Sequence, residues 1–156
     1  MVRTSRRRTL LTLGGGAFAL VALRPGCVRA ADPTFDEALR AITDGREPQP
    51  GRIELDLPKI AETGNSVPLT VTVESPMTPE DHVARVHLLS QGNPRPNVAT
   101  FHLGPRAGRA EVGTRLRLTR TQKVIGLAEL GDGSLWSDEA YIVVTLGACI
   151  DDIWTD

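Results

Sequence analysis

Cysteine is nearly absent from this sequence: 156 residues hold two, Cys27 and Cys149. The first falls in an N-terminal stretch that reads as removable. Removal leaves one thiol and no partner for an internal disulfide, so the survivor is flagged for reactivity or intermolecular pairing. Basic charge is equally scarce beyond residue 30. Six of the eighteen Lys and Arg lie in the first thirty residues, which carry no Asp or Glu. The remainder holds twelve basic and nineteen acidic residues, a formal charge of about −7 with neutral histidine. No basic patch survives to neutralise phosphates, so nucleic-acid binding is disfavoured. A phosphate-cradling glycine loop is missing too, because Gly14-Gly15-Gly16 lies in the N-terminal stretch and not between a strand and a helix. There is no metal-ligand pair at helical spacing, no internal repeat and no low-complexity tract.

Residues 1–30 have the layout of an export signal. Arg3, Arg6, Arg7 and Arg8 precede an uncharged, mainly apolar run from Leu10 to Leu23, too short to span a bilayer comfortably. Val28-Arg29-Ala30 suits cleavage after Ala30, and Arg6-Arg7-Arg8-Thr9-Leu10-Leu11 resembles a twin-arginine signal. A periplasmic location is expected, with no membrane attachment after cleavage. Arg24-Pro25-Gly26 is a poor lead-in for lipidation at Cys27.

Residues 31–51 read as a short helix and a linker. Thr34 and Glu37 have capping-box spacing, Phe35, Ala38, Leu39 and Ile42 share one face, and Asp44-Gly45 supplies the stop. So short a helix must pack on something. Glu47-Pro48-Gln49-Pro50-Gly51 forms the linker.

From residue 52 the hydrophobic period becomes two. Seven runs follow: 53–57, 67–73, 83–89, 98–103, 110–118, 124–130 and 139–145. Turn signals such as Thr63-Gly64-Asn65 and Gly131-Asp132-Gly133 separate them. The expected fold is all-β: an immunoglobulin-like antiparallel β-sandwich of about seven strands over 52–146, with the short helix in front. Trp136 and Phe101 are expected in or near its core. Residues 147–156 form a tail.

That tail carries Cys149 after Gly147-Ala148, where the chain can be mobile and exposed. A free cysteine is often a small buried hydrophobe. Past the last strand, a reactive role is favoured instead. Asp151, Asp152 and Asp156 disfavour a nearby thiolate. Two other readings stand beside it. Met77, His82 and Cys149 form a conceivable copper-like set, although solvent-facing or edge positions suit His82, His87 and His102 better. The cysteine could also be inert, in an interaction module whose acidic tail is a docking peptide.

Several stretches in order carry a resemblance. They are Ile60-Ala61-Glu62-Thr63-Gly64-Asn65-Ser66-Val67-Pro68, the run Glu74 to Val83, Asn93 to Phe101, Thr114 to Leu118, Gln122 to Leu130, and Val143 to Cys149. Together they resemble the SoxY family, the sulfur-carrier subunit of thiosulfate oxidation. The resemblance implies a sandwich fold, twin-arginine export, a heterodimer with a SoxZ-like sandwich, and a carrier role that is not enzymatic and needs no cofactor of its own. It implies Cys149 as the attachment site for sulfur intermediates, loaded by a c-type cytochrome and processed by further periplasmic enzymes. Gly147 and Ala148 would be the flexible tether. The family's cysteine is flanked by glycine pairs and ends the chain. Here seven residues, Ile150 to Asp156, follow it.

Overall fold

The computed structural model describes residues 32–148. The expected signal, Cys27, Cys149 and the segment after it lie outside the described residues. Among the described residues, no helix is long and apolar enough to cross a membrane.

Among the described residues one α-helix, α1 (Phe35–Thr43), precedes nine strands, and a 3-10 turn spans Pro105–Ala107. Thr34 caps it: the Thr34 hydroxyl accepts from the Glu37 amide, and the Glu37 carboxylate accepts from the Thr34 amide at 2.8 Å. The Thr34 bonds hold the Glu37 carboxyl below its ordinary range. Asp44 ends the helix in the left-handed region, at φ 50°.

The strands are β1 (Gln49–Pro50), β2 (Ile53–Asp56), β3 (Ile60–Thr63), β4 (Val67–Val73), β5 (Val83–Ser90), β6 (Asn97–His102), β7 (Glu111–Leu116), β8 (Gln122–Leu130) and β9 (Leu135–Leu146). The larger sheet has the order β1-β9-β8-β5-β6, with β3 also on β9. The smaller sheet is β2-β4-β7, antiparallel throughout. The all-β two-sheet sandwich with a leading helix is therefore the observed fold. Two strands exceed the expected seven. Both are short and both pair in parallel with β9: Gln49 opposite Trp136, and Ile60 opposite Val143.

The chain thus visits the larger sheet as β1, leaves it as β2 and returns as β3. Gly51 at φ 100° and Arg52 at φ 56° make the first exit. Arg52 lies 5.6 Å from the Trp136 ring centre and pairs with Asp81 at 3.0 Å. The Leu55 amide, on the strand that left, donates to the Asp138 carboxylate of β9 at 2.9 Å. These contacts fix the crossing where a continuous edge strand would have none.

Alternation on β2 and β4 packs Ile53, Leu55, Val67, Leu69, Val71 and Val73 against Val86, Leu88, Val124, Ala128 and Ile142 of the other sheet. Trp136 and Phe101 pack against this core, as expected. A second cluster lies on the outer face of the larger sheet. There Ala38, with Phe35, Leu39 and Ile42, covers Leu89, Leu127 and Leu135. β5 and β8 are therefore apolar on both faces, which explains why strict alternation fails along them.

Candidate functional site

β9 is twelve residues long, and β8 pairs with it only as far as Ile142, opposite Gln122. The last stretch needs other partners for its backbone groups. On one edge β3 supplies them, reaching Thr63 opposite Leu146. On the other edge the Thr121 hydroxyl takes the place of the missing strand: it accepts from the Val144 amide at 2.9 Å and donates to the Val144 carbonyl at 3.3 Å.

Beyond Leu146 the chain closes the end of the sandwich. The Gly64 amide donates to the Leu146 carbonyl at 2.7 Å, the Leu118 amide to the Gly64 carbonyl at 2.8 Å, and the Ala148 amide to the Leu118 carbonyl at 2.9 Å. Leu118 is fully buried and Ala148 is 5% exposed. A Cβ on Gly64 would stand 1.9 Å from the Leu118 carbonyl oxygen, and one on Gly147 would stand 2.0 Å from that of Thr119. Both glycines are needed for close backbone approach. Of the two residues expected to form a flexible link, Ala148 is buried with its amide bonded to the Leu118 carbonyl, whereas Gly147 is exposed and lies with its backbone close to the Thr119 carbonyl. The sequence reading assigned them to a tether because Gly-Ala after a strand looks mobile; Ala148 meets Leu118 and Gly64, and Gly147 meets Thr119, all far earlier in the chain.

A polar network holds the corner from below. Gln122 is 5% exposed, and its Oε1 accepts from the Gly92 amide at 2.6 Å and from the Ser90 hydroxyl. Its Nε2 donates to Asn93 at 3.2 Å. Asn93 also accepts from the Thr119 amide at 3.1 Å and donates to the Arg117 carbonyl at 2.7 Å. Buried polar groups this fully partnered fix the 117–121 turn in one conformation. The sequence reading named Asn93 and Gln122 only as parts of matching stretches. A glutamine opening an apolar strand was the one signal that could have marked the network.

The sandwich thus fixes the chain up to the residue before Cys149, the thiol itself lying outside the described residues. Met77 does not face a metal site: it is 5% exposed within the main core. His82 has its ring against Gly131 and its Nδ1 buried without a hydrogen-bond partner. Among the described residues, no group of three or more His, Cys, Asp and Glu is placed to hold a metal ion. His87 is not solvent-facing, as expected from sequence, but 8% exposed, and its Nδ1 lies 3.0 Å from the Thr100 hydroxyl. Burial, with Arg85 nearby, pushes its pKa down. Beside it Glu129 accepts from Arg85 at 2.8 Å and Arg46 at 3.1 Å. Burial pushes this carboxyl up, but the two guanidinium bonds outweigh it and hold the pKa below the ordinary value.

The sequence pattern of the family described as "SoxY: Sulfur oxidation protein SoxY" matches residues 39–149, ending on Cys149. This chain belongs to the SoxY family. Among solved structures, the fold is similar to the sulfur carrier protein SoxY from Chlorobium limicola f thiosulfatophilum. The TM-score is 0.60 at 28% identity, covering 72% of this chain and 97% of that one. The superoxide reductase (neelaredoxin) of Ignicoccus hospitalis matches with a TM-score of 0.54 at 15% identity, over 60% of this chain and 80% of that one. The superoxide reductase of Nanoarchaeum equitans matches at 0.52 and 14%, over 62% and 100%. At such identities the reductases share the sandwich alone, whereas the SoxY match adds sequence along its length. No curated protein matches the chain.

Proposed function

We propose that this SoxY-family chain is an exported carrier of thiosulfate oxidation that holds sulfur intermediates covalently on Cys149. The observation that carries the reading is that the family pattern runs to Cys149 and stops there. Cys149 is also the one thiol beyond residue 30. A carrier needs a single attachment atom at a fixed place on a stable body, and the packed Gly147-Ala148 corner provides the body.

The chemistry is a two-electron coupling. The Cys149 sulfur bonds to the outer sulfur of thiosulfate; the thiol loses its proton and the pair gives up two electrons to c-type haem iron. The product is a cysteine S-thiosulfonate. Water then cleaves its terminal sulfur–sulfur bond in a hydrolase, releasing sulfate and a proton and leaving a persulfide for further oxidation. Neither step uses a cofactor held by this chain. The stable partner is a SoxZ-like sandwich, and the location is the periplasm, reached through the Arg6-Arg7 signal with cleavage after Ala30.

Intact-mass measurement on protein purified from thiosulfate-grown cells tests this. Sulfonate or thiosulfonate adducts that map to Cys149 are expected, and their loss in Cys149→Ser together with thiosulfate oxidation. An unmodified thiol, with full oxidation in the Cys149→Ser strain, would overturn the reading.

A further inference from the structure

The sandwich has several sheet edges, and they differ in how they are closed. On the larger sheet, β1 and β3 border β9, and β6 pairs with β5 through a register shift between Leu88 and Leu89. On the smaller sheet, β2 is tied to the other sheet through the Leu55 amide and Asp138. β7 is the exception. It ends the β2-β4-β7 sheet, contains no proline, and pairs with β4 from Glu111 to Leu116 without a register shift. The direction of its backbone groups follows from two facts. The Val73 amide donates to the Ala110 carbonyl, and Pro68, which has no amide hydrogen, stands opposite Arg115. Alternation then gives β4 the N–H and C=O groups of Val112, Thr114 and Leu116, and turns those of Glu111, Gly113 and Arg115 to the open side. Among the described residues no hydrogen bond closes these groups. The same three residues are exposed. At Gly113 a Cβ would meet nothing within 4 Å. A glycine in mid-strand, with no bulge or crowded neighbour to require it, marks a place where another backbone approaches. An edge this regular is a template for strand addition.

We propose that β7 takes β7 of a second copy of this chain, antiparallel, about a two-fold axis at Gly113. The charge order of the strand selects that occupant: Glu111-Val112-Gly113-Thr114-Arg115 reads acid, glycine, base at alternate positions. With Gly113 opposite Gly113, Glu111 of each copy stands opposite Arg115 of the other. Both pairs fall on the solvent face of the sheet, where opposite charges across strands are favourable. The contacts these two side chains make within the chain are to exposed groups: Glu111 to Arg109 at 3.2 Å, and Arg115 to the Ser66 hydroxyl at 2.7 Å. The same register makes 111 with 115, 113 with 113 and 115 with 111 the hydrogen-bonded pairs. Every backbone group on the open side then finds a partner, about six bonds in all. A shift of two residues toward the strand start would set Arg109 against Arg115. The opposite shift would leave only two hydrogen-bonded pairs within the strands. Arg109 and Arg117 come opposite each other only beyond the last strand pair. The two small sheets thereby join into one of six strands, β2-β4-β7-β7-β4-β2, through an isologous contact. The assignment stands whether or not Cys149 carries sulfur.

Sedimentation and native mass under reducing conditions, which exclude a Cys149 disulfide, count the copies of this chain in the purified protein. Two are expected, whether or not another subunit is bound. Glu111→Arg alone sets arginine against arginine twice, and Arg115→Glu alone sets glutamate against glutamate twice. Each should weaken association by roughly tenfold. The two changes together recreate opposite pairs and should restore the dimer, with circular dichroism confirming the fold throughout. Gly113→Pro removes an N–H that β4 does not use and should abolish the dimer. Should that variant not fold, the charge variants, at exposed positions, decide alone. In a Cys149→Ser background, Gly113→Cys should crosslink to itself on mild oxidation, because Cα atoms in such a pair stand about 5.5 Å apart, within disulfide reach. A single copy at every soluble concentration overturns the proposal, as do β7 amides sheltered from exchange only by a different protein. A dimer indifferent to the single reversals, or one that the double variant fails to restore, places the contact elsewhere and equally overturns it.

Discussion

Replacing Gly64 with alanine tests the claim that the C-terminal corner is a packed anchor. The backbone at Gly64 is not in the left-handed region, so the cost is steric. The new Cβ would stand 1.9 Å from the Leu118 carbonyl oxygen and 2.9 Å from the Ala148 nitrogen, both backbone atoms that no rotamer change can move. Leu118 is fully buried, so the strain cannot be relieved by sliding that residue without disturbing the core. Overpacking of this kind costs about 1–3 kcal/mol. Separating the two segments also strains two backbone hydrogen bonds, Leu118 to Gly64 and Ala148 to Leu118, at roughly 1 kcal/mol each. The expected loss is about 3–5 kcal/mol, which lowers Tm by roughly 12–20 °C for a domain of this size. Urea unfolding followed by circular dichroism measures it. Gly147→Ala is the informative companion. Its clash is with the Thr119 carbonyl alone, and Gly147 itself is exposed, so the strain can be relieved locally. It should therefore lose less global stability, while amide exchange at Ala148 rises. A Gly64→Ala protein within about 0.5 kcal/mol of the parent, inside the range of ordinary surface substitutions, would refute the reasoning.

Two other perturbations have defined outcomes. Thr121→Val removes the hydroxyl that replaces a strand at Val144. It should cost about 1–3 kcal/mol for the orphaned amide, and exchange at Val144 should quicken; unchanged exchange would place the Val144 bond elsewhere. Glu129→Gln removes the carboxylate shared by Arg46 and Arg85. With both guanidiniums partly exposed, the expected loss is about 1–2 kcal/mol at neutral pH. Because the folded pKa is depressed, the carboxylate's contribution is present above the ordinary glutamate range and fades as pH falls through and below it. Parent and variant should converge in stability under acid, and a gap independent of pH would contradict the assignment.

Much of this protein is set by local pattern. Thr34 and Glu37 fix the helix start because a capping box is complete within one turn. The seven strands other than β1 and β3 are legible because each has one face on a core, which imposes a period of two. Blurring begins at β5 and β8, where α1 buries the second face. β1 and β3 escape a sequence reading altogether. They are two and four residues long, mostly exposed, and defined only by pairing in parallel with β9. No local signal exists for a strand whose hydrogen-bond partner is more than eighty residues away.

The attachment corner divides the same way. That Cys149 stands alone beyond residue 30, past the last strand and in a SoxY context, is a property of the sequence, because counting and order need no coordinates. Whether Gly147-Ala148 is a tether or an anchor is a tertiary matter. The same two small residues would be free if Gly64 and Leu118 were elsewhere; with both in place, close backbone approach and the Ala148–Leu118 hydrogen bond make them the fixed end of the sandwich. The outer face of the larger sheet is decided at that level too. Tyr141 and Val143 alternate along β9 like any strand residues, and only the placement of α1 over the other half leaves them bare.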